Sequence, residues 1–148
     1  MTSVKREAQL YVESSAVLSW LFGEKRGDVV RQILEDASLV ATSELTFVEC
    51  DRAILREVAL GKITAAQSRQ LQTGLGSIAQ SWDIMGIGSA VIARARQAFP
   101  DEPIRALDAL HVASALNVRG AVPELAILSL DDRIRCVSTA LGIALLPT

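Results

Sequence analysis

Four acidic residues are placed where a carboxylate could do chemistry, namely Glu13, Glu49, Asp108 and Asp131. Glu13 directly follows the apolar run Leu10–Val12, and Asp131 directly follows another apolar run at residues 125–130. Ligands of parallel sheets bind beyond the carboxyl ends of the strands, so acids that follow neighbouring strands would project into one crevice. The alternative is structural, because an acid after a strand often caps the next helix and interacts favourably with its dipole.

The other two acids fall inside predicted helices. Glu49 is flanked by apolar residues, and its spacing to Arg52 also suits an i, i+3 ion pair on a solvated face. Asp108 belongs to a polar stripe on an otherwise apolar helix, which recurs every three residues and consists of Arg105, Asp108, His111 and Ser114. Such a stripe forms either a wet edge or one wall of an active site. A carboxylate in apolar surroundings needs a partner or a metal ion.

A cluster of these carboxylates would bind a hard divalent cation. Mg²⁺ is usually held by one or two carboxylates together with water and substrate phosphate. An ion so held can activate water and clamp the phosphate oxygens of a phosphodiester. Without the cation, like charges at short range would repel strongly. The spacing along the chain leaves open whether the four side chains meet in space.

Other chemistries find little support in the sequence. His111 is the sole histidine, so one chain cannot build a multi-histidine metal site, and we interpret it as a packing histidine with satisfied hydrogen bonds. The segment Gly86–Gly88 lacks the third glycine of a dinucleotide-binding loop, because Val91 stands there. The sequence contains no Gly-x-Ser-x-Gly motif, which argues against a serine hydrolase.

Alternating strand and helix patterns must position the four acids. Short apolar runs predict strands at residues 10–12, 39–41, 82–87, 125–130 and 143–146. Helical spacing, caps and stop signals predict helices at residues 16–22, 28–37, about 43–60, 64 to about 74, 89–99, 104–118 and 131–141. This alternation implies an α/β fold with a mostly parallel sheet that helices cover on both faces. We expect one domain over residues 9–148, preceded by a short polar tail at residues 1–8.

Composition and charge exclude several classes of protein. The chain has 148 residues, of which 50% are hydrophobic and 22% charged, as is ordinary for one globular domain. Its net charge of −2 argues against a basic nucleic-acid coat protein, but not against an enzyme whose acids hold a metal near nucleic acid. The two cysteines, Cys50 and Cys136, lack the spacing of a disulfide framework or zinc site. Because no segment resembles a signal peptide or a membrane span, we expect a cytoplasmic protein with no membrane partner.

Four segments resemble, in order and spacing, the signature motifs of the PIN-domain family. They run from Tyr11 to Leu18, from Ser43 to Glu49, from Leu107 to Ala113 and from Leu128 to Ile134. The ending Leu141–Ile143 is typical of the family's tail, so the resemblance covers about residues 9 to 147. The compact size and these motif variants are most similar to VapC-type toxins of toxin–antitoxin pairs.

This resemblance implies a PIN-like three-layer sandwich and an endoribonuclease that depends on Mg²⁺ or Mn²⁺. The implied enzyme hydrolyses RNA phosphodiester bonds with metal-activated water. It forms a homodimer and is inhibited by a small antitoxin protein of the VapB kind. Matched position by position, the catalytic and metal-binding acids would be Glu13, Glu49, Asp108 and Asp131, with Ser15 as the hydroxyl beside the first acid. Candidate contacts to the RNA backbone, which needs basic groups, are Arg52, Arg56, Arg94, Arg96, Arg105, Arg133 and Arg135.

One position departs from the family pattern, because the first acid is normally aspartate and here it is Glu13. The extra methylene extends the carboxylate by one C–C bond, and a misplacement of about 1 Å can lower a rate on the order of 10²-fold. The alternative interpretation is therefore a PIN-fold protein with reduced or lost catalysis that acts as a binding or regulatory partner. An unrelated flavodoxin-like binding module is a third hypothesis, and it would require phosphate-cradling loops that the sequence does not show.

Overall fold

Five parallel strands form the central sheet of the computed structural model, which describes residues 7–148. The strands are β1 (Gln9–Val12), β2 (Leu39–Ser43), β3 (Asp83–Met85), β4 (Ala126–Leu128) and β5 (Ala144–Leu146). Their spatial order is β3-β2-β1-β4-β5, so β1 is central and lies between β2 and β4. The mostly parallel sheet predicted from the sequence is confirmed. Most of the predicted N-terminal tail, residues 1–6, lies outside the described residues.

Seven α-helices connect the strands within the described part of the chain. They are α1 (Ser14–Leu21), α2 (Gly27–Asp36), α3 (Glu44–Ala59), α4 (Ala65–Ile78), α5 (Ser89–Ala95), α6 (Ala106–Ala121) and α7 (Asp132–Ala140). None of the helices within residues 7–148 combines the length and the apolar character that crossing a bilayer requires.

Successive strand residues face opposite layers, which creates two hydrophobic cores. Leu10 and Val12 of β1 pack with side chains of α1 to α4, whereas Tyr11 packs with side chains of α5 to α7. The same alternation sends Leu128 to the first core and Ile127 to the second. This period of two, with both faces covered by helices, explains why the strands are apolar on successive residues. The result is the three-layer sandwich that the sequence predicts.

Two helices depart furthest at one end from their predicted bounds. The glycines at 74 and 76 do not end α4, which continues to Ile78. A capping box between Thr64 and Gln67 fixes its start, and the buried Leu75 anchors it against the first core, so packing outweighs a cost of about 1 kcal/mol per glycine. Helix α5 ends at Ala95 instead of residue 99, because the chain turns to bury Phe99, whose N–H donates to the Glu102 carboxylate at 2.9 Å.

Candidate active site

Glu13 stands directly beyond the carboxyl end of the central strand. Its N–H donates to the Leu128 carbonyl of β4 at 3.0 Å, which places it beside Ser129. Its side chain is only 4% exposed and forms no capping hydrogen bond to α1, so the capping alternative is wrong for this residue. One carboxylate oxygen, Oε1, accepts from Ser14 at 2.9 Å. The other, Oε2, accepts from Ser129 at 2.7 Å and from Ser15.

These serines couple Glu13 to the backbone that follows β4. The Ser15 hydroxyl accepts from the Leu130 N–H at 2.9 Å, and the Ser129 hydroxyl accepts from the Asp131 N–H at 3.1 Å. Three of about four lone-pair positions on the Glu13 carboxylate are therefore in use. Ser15 was predicted beside the first acid, whereas sequence reasoning missed Ser129. The signal for Ser129 was a hydroxyl between two leucines at the end of a buried strand.

Asp131 follows β4 and caps α7. Its Oδ1 accepts from the N–H groups of Arg133 at 2.9 Å and Ile134 at 3.3 Å, so the capping interpretation is correct for this residue. Both capping bonds use Oδ1, so Asp131 can cap α7 and bind a ligand through Oδ2 at the same time. The cap also fixes where the carboxylate stands relative to Glu13, because Ser129 bonds to both residues.

Asp108 lies in the first turn of α6 and faces the same edge of the sheet. Partial burial raises the pKa of its carboxyl, and the negative charges of Asp131 and Glu13 raise it further. The positive charge of Arg133 opposes this shift. Asp131 and Glu13 therefore lie close enough to Asp108 to disfavour the ionisation of Asp108. Of the candidate arginines, Arg133 is the one whose charge acts on this group.

Glu49 reaches the same edge from α3 through His111. Its Oε1 is hydrogen-bonded to Nε2 of His111 on α6, and the Nδ1 of that ring lies 2.9 Å from the Tyr11 hydroxyl on β1. Burial raises the pKa of the Tyr11 hydroxyl far above its usual range, and the charges of Glu13 and Glu49 contribute to the rise. The prediction of a fully hydrogen-bonded His111 is confirmed. Tyr11 was not singled out as a site residue on the sequence.

The donor set suits a hard divalent cation. In the part of the chain that the structure describes, no three acidic, histidine or cysteine side chains close on one point as a finished ligand cage. Mg²⁺ does not require such a cage, since one or two carboxylates with water commonly hold it. The mutual repulsion around Asp108 is relieved when a cation binds. The oxygen donors and the crowded negative charge around Asp108 therefore have the chemistry that a hard divalent cation prefers.

Comparisons with known proteins agree with this architecture. The profile of the PIN-domain family matches residues 10–139. The chain is 30% identical over 137 residues to ribonuclease VapC35 from Mycobacterium tuberculosis, covering 91% of this chain and 93% of that protein. It is similar in structure to FitAB bound to an IR36 DNA fragment, with TM-score 0.65, 17% identity and coverage of 93% and 94% of the two chains. It is also similar to a toxin–antitoxin complex from Klebsiella pneumoniae, with TM-score 0.53, 19% identity and coverage of 84% and 87%.

The profile match and the sheet order identify this chain as a member of the PIN-domain family. Within that family it belongs with the VapC-like ribonucleases, because its identity to VapC35 extends over nearly the full length of both proteins. The family resemblance noted in the sequence is confirmed.

Proposed function

We propose that this chain is the toxin of a toxin–antitoxin pair and a divalent-metal-dependent endoribonuclease that hydrolyses RNA phosphodiester bonds. The observation that supports this most strongly is the electrostatic crowding of Asp108 by Asp131 and Glu13 at the carboxyl end of the central strands. Structural carboxylates are seldom gathered in this way, because each like charge disfavours ionisation of the others. A site that binds a cation benefits from the same arrangement.

Each acid has a distinct task in this proposal. Asp108 and Asp131 present carboxylate oxygens to Mg²⁺ or Mn²⁺, and Glu13 contributes through the one lone-pair position that its serine bonds leave open. Glu49 is the fourth metal-binding acid and reaches the ion from the rim. The bound ion would supply an activated water and neutralise charge on the phosphate oxygens. Arg133 contacts the RNA backbone beside Asp108, since basic groups supply much of the affinity for phosphate.

Replacing Asp108 by asparagine tests the proposal. Asp108→Asn keeps the size of the side chain and removes its charge, so we expect Mg²⁺-dependent cleavage of a mixed pool of single-stranded RNA oligonucleotides to be lost. Circular dichroism should show an unchanged fold. Asp36→Asn is the matched control, because Asp36 is exposed at the end of α2 and, within residues 7–148, its side chain bonds only to Gln32 of the same helix. Cleavage by Asp108→Asn at the wild-type rate would remove Asp108 from the site.

The proposal also includes the partners and setting of the chain. We propose that a single domain over residues 9–148 acts in the cytoplasm as a homodimer, and that a small antitoxin of the VapB kind inhibits it. The toxin–antitoxin nature of the Klebsiella pneumoniae neighbour supports the antitoxin. A neighbouring reading frame that encodes a small DNA-binding protein should, when co-expressed, co-purify with this chain and suppress cleavage. Sedimentation equilibrium should give twice the mass of one chain.

A second candidate function is a PIN-fold protein with impaired catalysis that acts as a binding partner. The burial of Glu13 and its three serine bonds favour it, because they restrict how that carboxylate can turn toward an ion. Titration of the wild-type chain with Mn²⁺ by calorimetry separates the two functions, since an acidic edge that binds no ion leaves only this second one. The rate of RNA cleavage by Glu13→Asp, compared with that of the wild type, measures how far the longer side chain impairs catalysis. Much faster cleavage by that variant supports impaired geometry, whereas equal and robust rates reject it.

A further inference from the structure

The sole histidine of the chain bridges the two helical layers beyond the end of the sheet. Glu49 belongs to α3 in one layer, and His111 belongs to α6 in the other. The imidazole is 1% exposed, and its plane stands at 70° to the Tyr11 ring with the ring centroids 6.1 Å apart. Tyr11 is completely buried, whereas the Glu49 side chain is 26% exposed. The buried pair Tyr11 and His111 is therefore bonded to a carboxylate, that of Glu49, which is partly exposed to solvent.

Hydrogen-bond chemistry determines which atom donates and which accepts in the two bonds that link Tyr11, His111 and Glu49. An ionised carboxylate can only accept, so Nε2 of His111 carries the hydrogen and donates to Glu49. The phenol of Tyr11 is held in its protonated form by burial and can donate to Nδ1. Both ring nitrogens are then engaged, and within residues 7–148 every buried side-chain nitrogen and oxygen has a partner. The ring has one orientation that satisfies both neighbours.

We propose that His111 is a positioning residue, which fixes the Glu49 carboxylate at the edge of the acidic site while Tyr11 fixes the ring. The inference rests on the proposed function and deepens it. One oxygen of Glu49 is bound to His111, so the carboxylate does not sample the rotamers of a free glutamate, and its partly exposed side chain leaves the other oxygen available. Partners of this kind orient the groups that bind metal or substrate, and their loss typically costs about 10–100-fold in affinity or activity.

Ring-nitrogen NMR of the metal-free protein tests the anchor directly. Because His111 is the sole histidine, ¹⁵N-labelled protein gives one pair of imidazole signals. We expect a protonated Nε2 and an unprotonated Nδ1, and we expect Glu49→Ala to shift the Nε2 signal and Tyr11→Phe to shift the Nδ1 signal. A ring protonated at Nδ1 alone, or spectra that neither variant changes, would overturn the proposal.

Two substitutions of His111 test whether its side chain positions Glu49 or only fills space in the core. The amide nitrogen of His111→Gln can reach the position of Nε2, whereas His111→Asn is one bond too short. We expect His111→Asn to weaken Mn²⁺ binding, measured by calorimetry without RNA, and to slow RNA cleavage by roughly 10–100-fold. His111→Gln should retain most of the wild-type Mn²⁺ affinity and most of the cleavage rate. Ser138→Ala is the matched control, because it deletes a buried hydroxyl on α7 whose one partner among the described residues is the Ile134 carbonyl, and it should leave Mn²⁺ binding and RNA cleavage unchanged.

The outcomes distinguish this inference from the proposed function. Wild-type Mn²⁺ affinity and cleavage in His111→Asn would refute positioning and leave the nuclease proposal intact. If His111→Asn fails to fold, Tyr11→Phe replaces it, since that variant removes one oxygen atom and should lower affinity and rate in the same direction. A wild-type chain that neither binds Mn²⁺ nor cleaves RNA would refute the nuclease proposal. The ring-nitrogen spectra would still decide whether His111 fixes Glu49.

Discussion

Shortening Glu13 to aspartate should cost stability, because the carboxylate then falls short of Ser129. The substitution removes one methylene and retracts the carboxylate by about 1.5 Å. The Ser129 hydroxyl lies 2.7 Å from Oε2, so the retracted oxygen would be roughly 4 Å away, beyond hydrogen-bond range. The bonds from Ser14 and Ser15 come from adjacent residues of the same segment, and these can follow the shorter side chain. The substitution therefore breaks the side-chain hydrogen bond between the segments that follow β1 and β4.

The expected destabilisation follows from the charge on the acceptor. Hydrogen bonds to charged groups contribute about 1.5–3 kcal/mol each, so the free energy of unfolding of Glu13→Asp should fall by that amount. For a chain of this size the melting temperature should drop by roughly 5–10 °C. Urea unfolding followed by circular dichroism measures the change in the wild type, Glu13→Asp, Ser129→Ala and the double variant. Both single changes remove the same bond, although Ser129→Ala also removes the bond from the Asp131 N–H, so the double variant should lose less stability than the sum of the two single variants.

Two results would refute this reasoning. A Glu13→Asp chain that unfolds within about 0.5 kcal/mol of the wild type would mean that the backbone moves to keep the bond. Additive destabilisation by Glu13→Asp and Ser129→Ala would mean that the two side chains are not coupled, and that the cost of shortening arises elsewhere.

Three further predictions concern charge and packing. Because folding raises the Asp108 pKa, the native chain holds that proton more tightly, so its stability falls as pH rises above about 3.9 and stays reduced at neutral pH. Asp108→Asn should therefore melt at a higher temperature than the wild type at pH 7, and calorimetry should show this advantage shrinking below pH 4. Gly27→Ala should cost about 1–3 kcal/mol in urea unfolding, since its Cβ would meet a backbone carbonyl of α1 at 2.5 Å, whereas Gly74→Ala in open space should gain about 0.5–1 kcal/mol. Arg133→Ala should weaken RNA binding and reduce the slope of log affinity against log salt by about 1, whereas Arg31→Ala, which breaks a surface pair on α2, should change neither.

The sequence was sufficient for the mostly parallel sheet and for placing Glu13 and Asp131 at the ends of strands. Both acids follow apolar runs, and parallel strands bring their carboxyl ends to one edge, so convergence required only that β1 and β4 be neighbours. The sequence left that adjacency open, and the pairing of β1 with β4 satisfies it. Caps could also be predicted, because Thr64 and Asp131 act on backbone groups within three residues of themselves.

The link from Tyr11 through His111 to Glu49 could not be predicted in the same way. Its residues come from β1, α6 and α3, and their contact depends on how two helical layers pack on opposite faces of the sheet. No spacing along the chain encodes that packing. The continuation of α4 past Gly74 has a similar cause, since the burial of Leu75 outweighs the local preference of its neighbours.

The central position of β1 has a consequence for synthesis on the ribosome. The strand is made first, yet its neighbour β4 begins at Ala126, more than a hundred residues later. A growing chain that has emerged only as far as α6 already contains Glu13, Glu49 and Asp108, but it lacks Ser129 and Asp131 and leaves one edge of β1 unpaired. Such distant pairings form late, because closing a long loop costs entropy before the contacts compensate for it. The completed acidic edge therefore arises only when translation is nearly finished.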